Sequence, residues 1–147
     1  MGTLKLHVVE GQPLHSGVRT VVGSIRLDEL DGRYVVDQRD FHSQSGYQRP
    51  LSATRVKKLA KDLDGGLVDI TPATLLNIRA FDPSWLTTGD NGCLMLSIPD
   101  GVDLYGVDGQ HRTGATQRLL NAGRDRWGNF RLQFVLMLGA TPEQEMR

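Results

Sequence analysis

The sequence predicts a single domain of the α/β (α+β) class: a mixed, curved sheet with two main helices packed on it and a β-rich N-terminal part extending the sheet. Length and composition support this first. The chain has 147 residues, 39% hydrophobic and 23% charged, which is one domain's worth and enough to bury a core. The second observation is periodicity, because alternating and β-branched stretches give way to a helical stripe and then return. The third is that turn residues separate these stretches at short intervals, with no internal repeat or low-complexity tract.

Within residues 1–44, Leu4 to Val9, Val18 to Leu27 and Tyr34 to Val36 read as short strands, punctuated by Gly11, Pro13, Gly17, Gly23 and Gly32. Residues 43–50 (SQSGYQRP) are polar and turn-rich. Ser52 then stands as N-cap before Val56, Leu59, Ala60 and Leu63, whose spacing forms one apolar stripe, and Gly65 and Gly66 end that helix. Ala73 to Ile78, Cys93 to Ile98 and Asp103 to Val107 read as strands, with a loop from Phe81 to Gly92 rich in Gly, Asp, Asn and Pro. A second helix is expected over Gln110 to Ala122, stopped by Gly123.

Phe130 to Leu138 is the most apolar segment and is expected at the centre of the sheet. Thr141, Pro142 and Gln144 have the pattern of a helix start: an N-cap, a proline at the first position and a capping-box partner. The organisation read from this is a β-rich part over 1–44 and a core over 45–147. The helix start among the last seven residues suggests a core truncated at its C-terminus, the N-terminal portion of a longer protein.

Composition narrows the functional classes. No 18-residue apolar run exists to cross a bilayer, and the N-terminus lacks a basic start followed by an apolar stretch, so a cytoplasmic setting is expected. The single cysteine, Cys93, excludes an intramolecular disulfide and a cysteine-built zinc site; its apolar strand pattern predicts a buried small hydrophobe. His7, His15 and His42 have no metal-ligand spacing. Trp85 and Trp127 are expected to cover the edge of the core.

The 17 basic residues balance 17 acidic ones, which argues against a surface uniformly coated for nucleic acid. Locally the balance differs: residues 45–65 hold Arg49, Arg55, Lys57, Lys58 and Lys61 against Asp62 and Asp64. Arg55, Lys57, Lys58 and Lys61 are either a solvated helix face or a contact for DNA backbone. Arg118, Arg124 and Arg126 extend the positive surface beyond the second helix.

The strongest local signal is residues 104–115, LYGVDGQHRTGA, where a strand passes through Asp108-Gly109 into a helix. Glycine there allows close backbone approach to a ligand, and first-turn amides have no partner inside the helix. An anion fits such amides, and Arg112 can add a charge-assisted bond. Asp108 either caps the helix or holds a magnesium ion. His111 is a phosphate ligand, a general acid, or a ring that bonds backbone and closes the turn. The plainer reading of the stretch is a tight strand-to-helix turn with a solvated arginine.

Residues 107–115, VDGQHRTGA, contain the Asp-Gly-Gln-His-Arg string of the DGQHR-domain family, and residues 46–63, GYQRPLSATRVKKLAKDL, resemble the segment that precedes it there. The chain thus resembles the ParB/sulfiredoxin-like superfamily and DndB-type proteins associated with bacterial DNA phosphorothioation and related DNA-modification systems. The resemblance spans residues from about 45 to 145 and implies that Gly109, Gln110, His111 and Arg112 surround a nucleotide phosphate, with Arg49 facing the same site. Gln110 occupies the place of sulfiredoxin's catalytic cysteine, so sulfur-reducing chemistry is not implied. His111 replaces one of ParB's paired arginines, so CTP specificity does not carry over.

What the resemblance implies is a DNA-binding, nucleotide-binding protein with a regulatory role, such as transcriptional regulation. Its cofactor would be a nucleoside triphosphate with magnesium, and its partners DNA, further copies of itself, or proteins of a DNA-modification system. The alternative is a nucleoside triphosphatase or DNA-nicking enzyme of a phage-defence system, with Asp108 and His111 taking part in metal-bound phosphate chemistry.

Overall fold

The computed structural model describes residues 2–36, 53–67, 72–89, 91–108 and 110–145, without the side chains of residues 110–112. Strands β1 (Leu4–Glu10) and β2 (Thr20–Arg26) lead to a short helix α1 (Leu27–Leu30) and strand β3 (Tyr34–Val36). Helix α2 (Ala53–Asp64) precedes β4 (Thr74–Ile78), a single 3-10 turn (Pro83–Trp85), β5 (Leu86–Thr88) and β6 (Leu94–Ile98). Then come β7 (Leu104–Asp108), helix α3 (Gln110–Ala122), a short α4 (Arg124–Trp127), β8 (Arg131–Leu138) and α5 (Pro142–Glu145).

The described strands form one eight-stranded sheet in the order β3-β7-β4-β8-β2-β1-β6-β5. It is mixed, because β3 and β4 run parallel to β7 and β8 respectively, while the other neighbours are antiparallel. The α+β class expected from sequence is therefore what the chain adopts. Among the described residues no helix is long and apolar enough to cross a membrane.

Strand alternation sets the two faces. In β1, Leu4, Leu6 and Val8 are buried while Lys5, His7 and Val9 are exposed, the two-residue period of a half-covered strand. β8 occupies the middle of the sheet, as its apolar run predicts, and buries Leu132, Phe134, Leu136, Met137 and Leu138. These leucines and Phe134 join Leu76, Ile78, Leu104 and Leu120 in the main core, on the face that α1 and α3 cover. On the opposite face Val107, Met137 and Ala140 pack with Leu14, Val18 and Leu75.

The stripe of α2 meets α3 rather than the sheet. Ala60 and Leu63 pack against Ala115 and Leu119, with Val56, Leu59, Trp127 and Phe130 around them. Burying Leu63 in this seam stabilises the helix pair by about 1.5–3 kcal/mol. Gly66, at φ +78°, ends α2 in the left-handed region, and Gly65 N–H returns to Lys61 O at 2.9 Å. The capping box of α5 forms as its sequence predicts: Thr141 N–H donates to Gln144 Oε1 at 2.8 Å and Gln144 N–H to Thr141 Oγ1 at 3.2 Å.

Three expectations are corrected. The segment expected as a loop over 81–92 contains the 3-10 turn, capped by Asp82 accepting from Ser84 N–H at 3.0 Å, and then the edge strand β5. Its Leu-Thr-Thr pairs with β6, and this long-range partner outweighs the turn residues on either side. Cys93 is exposed, because it belongs to the turn before β6, its N–H bonded to Asn91 Oδ1 at 3.3 Å.

Leu27 does not end a strand: the Leu27 and Leu30 pair, both buried, turns the chain into α1 as Arg26 N–H bonds Glu29 Oε1 at 3.1 Å. The β-rich N-terminal part does extend the sheet as expected, with β1 and β2 seated between β8 and β6. Seven consecutive pairs from Thr20↔Met137 to Arg26↔Arg131 hold β2 there.

Candidate functional site

The strand-to-helix junction forms where the sequence predicts it. β7 ends at Asp108 and α3 begins at Gln110, so Gln110, His111 and Arg112 contribute the backbone of its first turn. Gly109 and the side chains of residues 110–112 lie outside the described residues, as do Arg49 and the Ser52 cap.

β7 reaches the junction through a bulge. Leu75 is opposite Asp108 and Leu76 opposite Gly106, which leaves Val107 as an extra residue on β7. β4 is regular on its other side, pairing in unbroken register with β8 from Thr74↔Phe134 to Ile78↔Leu138. The bulge takes Asp108 out of simple alternation at the strand's end, where it is exposed.

Gly106 explains the mid-strand glycine. A Cβ at this position would meet the Tyr34 hydroxyl first and then Cε2 and Cζ at 2.7 Å, so only glycine lets the ring lie across β7. Tyr34 projects from β3, the neighbouring strand, toward Thr113 in the first turn of α3. Burial raises the phenol's pKa, and the Thr113 contact opposes this more weakly. The Tyr34 hydroxyl itself is buried, with Thr113 the side chain that acts on it.

The basic helix lies directly against the helix that starts at this junction. Through the α2–α3 seam, Ala60 and Leu63 turn inward, and Arg55, Lys57, Lys58 and Lys61 are exposed. Among the described residues, no ion pair engages Lys57, Lys58 or Lys61. The positive surface is narrower than its sequence suggests, because Arg124 pairs with Asp31 at 2.9 Å and Arg126 with Asp64 at 2.8 Å. The second of these ties the end of α2 to α4.

On the opposite face, a polar network that sequence reasoning missed surrounds Glu145, whose side chain is fully buried. Arg79 Nε and Nη2 each donate to its carboxylate at 3.0 Å, and Asn77 Nδ2 donates to the same group in a very short contact. Arg79 also stacks over the Tyr105 ring, 3.8 Å from its centroid. Glu145 and Asn77 are 68 residues apart, so no local pattern announces the pair.

The remaining candidates divide plainly. His7 and His15 are exposed, and no group of three His, Cys, Asp or Glu residues suited to a metal forms among the described residues. Trp85 and Trp127 cover the core edge as expected, Trp85 set edge-on to Phe81 at 6.0 Å and Trp127 tilted against Phe130 at 5.6 Å. At the surface Arg19 donates to Glu10, holding that carboxyl below its ordinary pKa. A cleft of about 830 Å³ opens where β1 parts from β2, lined by His7, Ser24, Gln133 and Phe134 among others; neither Asp108 nor the cations of α2 line it.

No family model matches the chain, and no curated protein matches it.

Proposed function

We propose that this chain is a DndB-like DGQHR-domain protein of a bacterial DNA-modification system, cytoplasmic and regulatory. In this reading it binds a nucleotide phosphate at Gly109 to Arg112, assisted by Arg49, and contacts DNA backbone through Arg55, Lys57, Lys58 and Lys61. The observation that supports it is the packing of α2 on α3: one helix presents exposed cations beside another that starts directly after a bulged strand, and a helix start is where backbone amides can meet an anion.

The chemistry asked of the two parts differs. The junction supplies directional N–H donors and the Arg112 charge, suited to a small anion. The lysines supply diffuse positive charge, suited to a polyanion whose counterions they release. In this reading Asp108, exposed at the end of β7, caps the turn or approaches a magnesium ion carried by the nucleotide.

Duplex DNA binding measured by fluorescence anisotropy across a salt series tests the basic helix. Replacing Lys57, Lys58 and Lys61 together by Gln should weaken binding and flatten the plot of log affinity against log salt by about 2 to 3. Calorimetric titration with nucleoside triphosphates and magnesium tests the junction, where Arg112→Ala should lose the signal. Unchanged binding in both variants defeats the reading, and release of inorganic phosphate by the wild-type chain would favour a nucleoside triphosphatase.

A further inference from the structure

Pairing of β6 with its two neighbours brings together metal-ligating side chains that no local spacing connects. His7 on β1 lies directly opposite Met95 on β6. Leu96 and Ile98 are buried in the core, so Met95 takes the other face of its strand, the one on which β1 exposes His7. Gly89 N–H donates to Cys93 O at 2.7 Å, which carries the β5–β6 ladder one residue past Thr88↔Leu94. Cys93 therefore shares the face of Met95, two residues on, and stands diagonal to His7.

This spacing suits one small ion. Opposed Cβ atoms on neighbouring strands are about 4.5–5.5 Å apart and diagonal ones at most about 7–8 Å, while same-face neighbours along one strand are separated by about 7 Å. An ion at the centre of such a triangle reaches Cys93 Sγ, Met95 Sδ and an imidazole nitrogen of His7 through bonds of about 2.0–2.3 Å, the lengths that zinc makes to thiolate and imidazole. His7 and Cys93 are exposed and both line the cleft of about 830 Å³ where β1 parts from β2, so an ion has a way in. Among the described residues lining that cleft the only carboxylate is Glu10, and Arg19 already holds it at 2.8 Å.

We propose that Cys93, Met95 and His7 form a three-coordinate site for monovalent copper. Thiolate and thioether are soft donors that select copper(I), and imidazole serves copper as well. Zinc, which takes four ligands from among thiolate, imidazole and carboxylate, gains nothing from the thioether. Binding forms two copper–sulfur bonds and one copper–nitrogen bond, the Cys93 thiol gives its proton to water, and no electron is transferred. Three strands, β4, β8 and β2, separate β1 from β7, so copper binding is independent of the proposed phosphate and DNA contacts.

The test is titration of the whole chain with copper(I), kept reduced without oxygen, against the chromophoric chelator bicinchoninate, with X-ray absorption at the copper edge to identify the neighbours of the ion. Wild type should bind a single copper with sulfur from Cys93 and Met95 and nitrogen from His7 around it. Cys93→Ser should weaken binding by more than about a hundredfold, beyond what a merely supporting group carries. Met95→Leu keeps the side chain's volume, so it should lose at least about tenfold for copper(I) and nothing for zinc. His7→Gln should lose at least about tenfold and remove the nitrogen neighbour. Each variant changes an exposed or half-buried side chain and should melt with wild type. Copper held as tightly by Met95→Leu and His7→Gln as by wild type would reduce the site to a bare thiol and overturn the inference. So would displacement of copper(I) by an equal concentration of zinc, or a wild-type chain that leaves all the copper with the chelator.

Discussion

Glu145→Ala isolates a charge whose side chain is fully buried. The carboxylate is fully enclosed, bonded by two guanidinium nitrogens of Arg79 at 3.0 Å each and by the Asn77 amide. Removing one partner of a buried ion pair costs about 3–5 kcal/mol, because the other charge stays desolvated. Here the stranded cation is Arg79, whose side chain is 22% exposed and keeps the Tyr105 ring at 3.8 Å, so the loss falls lower, at about 2–4 kcal/mol. Asn77 is not stranded, since it still donates to Ala140 O at 2.8 Å and accepts from Ala140 N–H at 3.1 Å.

For a domain of this size the loss corresponds to a melting midpoint lower by about 6–12 °C, and urea unfolding should report the same change without a change in slope. The double variant Arg79→Met with Glu145→Leu removes both charges and should return to within about 1 kcal/mol of wild type. A loss under about 0.5 kcal/mol in Glu145→Ala, or additive effects in the double-mutant cycle, would refute the reasoning that the two buried charges depend on each other.

Two further outcomes concern the strand beneath the junction. Gly106→Ala should cost about 1–3 kcal/mol by melting, because the new Cβ drives into the Tyr34 ring, whose Cε2 and Cζ would lie at 2.7 Å. Adding Tyr34→Phe should recover part of that loss, and a wild-type midpoint for Gly106→Ala would contradict the packing. Alkaline unfolding probes the phenol itself. Its folded pKa is raised above the ordinary value of 10.0 by burial, so its contribution to stability is intact below pH 10.0 and is lost as pH rises through the higher folded value. Urea unfolding between about pH 8 and about pH 11 should therefore show a steeper alkaline decline in wild type than in Tyr34→Phe, and parallel curves would count against it.

Much of the fold was legible in the sequence wherever the governing interaction is local. The α2 stripe, the glycine stop at Gly66, the capping box of Thr141 and Gln144 and the apolar run of β8 each depend on residues within a few positions of one another. The junction was legible for the same reason, as the strand pattern, Asp108-Gly109 and the helix are contiguous. One signal was present but unread: glycine inside the strand pattern of Leu104 to Val107, which marks the close approach of another group.

By itself, then, the sequence determined the mixed class, most of the elements and the place where β7 turns into α3, because period, capping and turn chemistry act over one or two turns of chain. Only the tertiary structure decided that β1 and β2 enter the middle of the sheet, that Leu86–Thr88 finds a partner and that Cys93 faces water. It alone joined Glu145 to Asn77 and Arg79, and set His7 opposite Met95. Strand pairing and the burial of polar groups are set by partners tens of residues away.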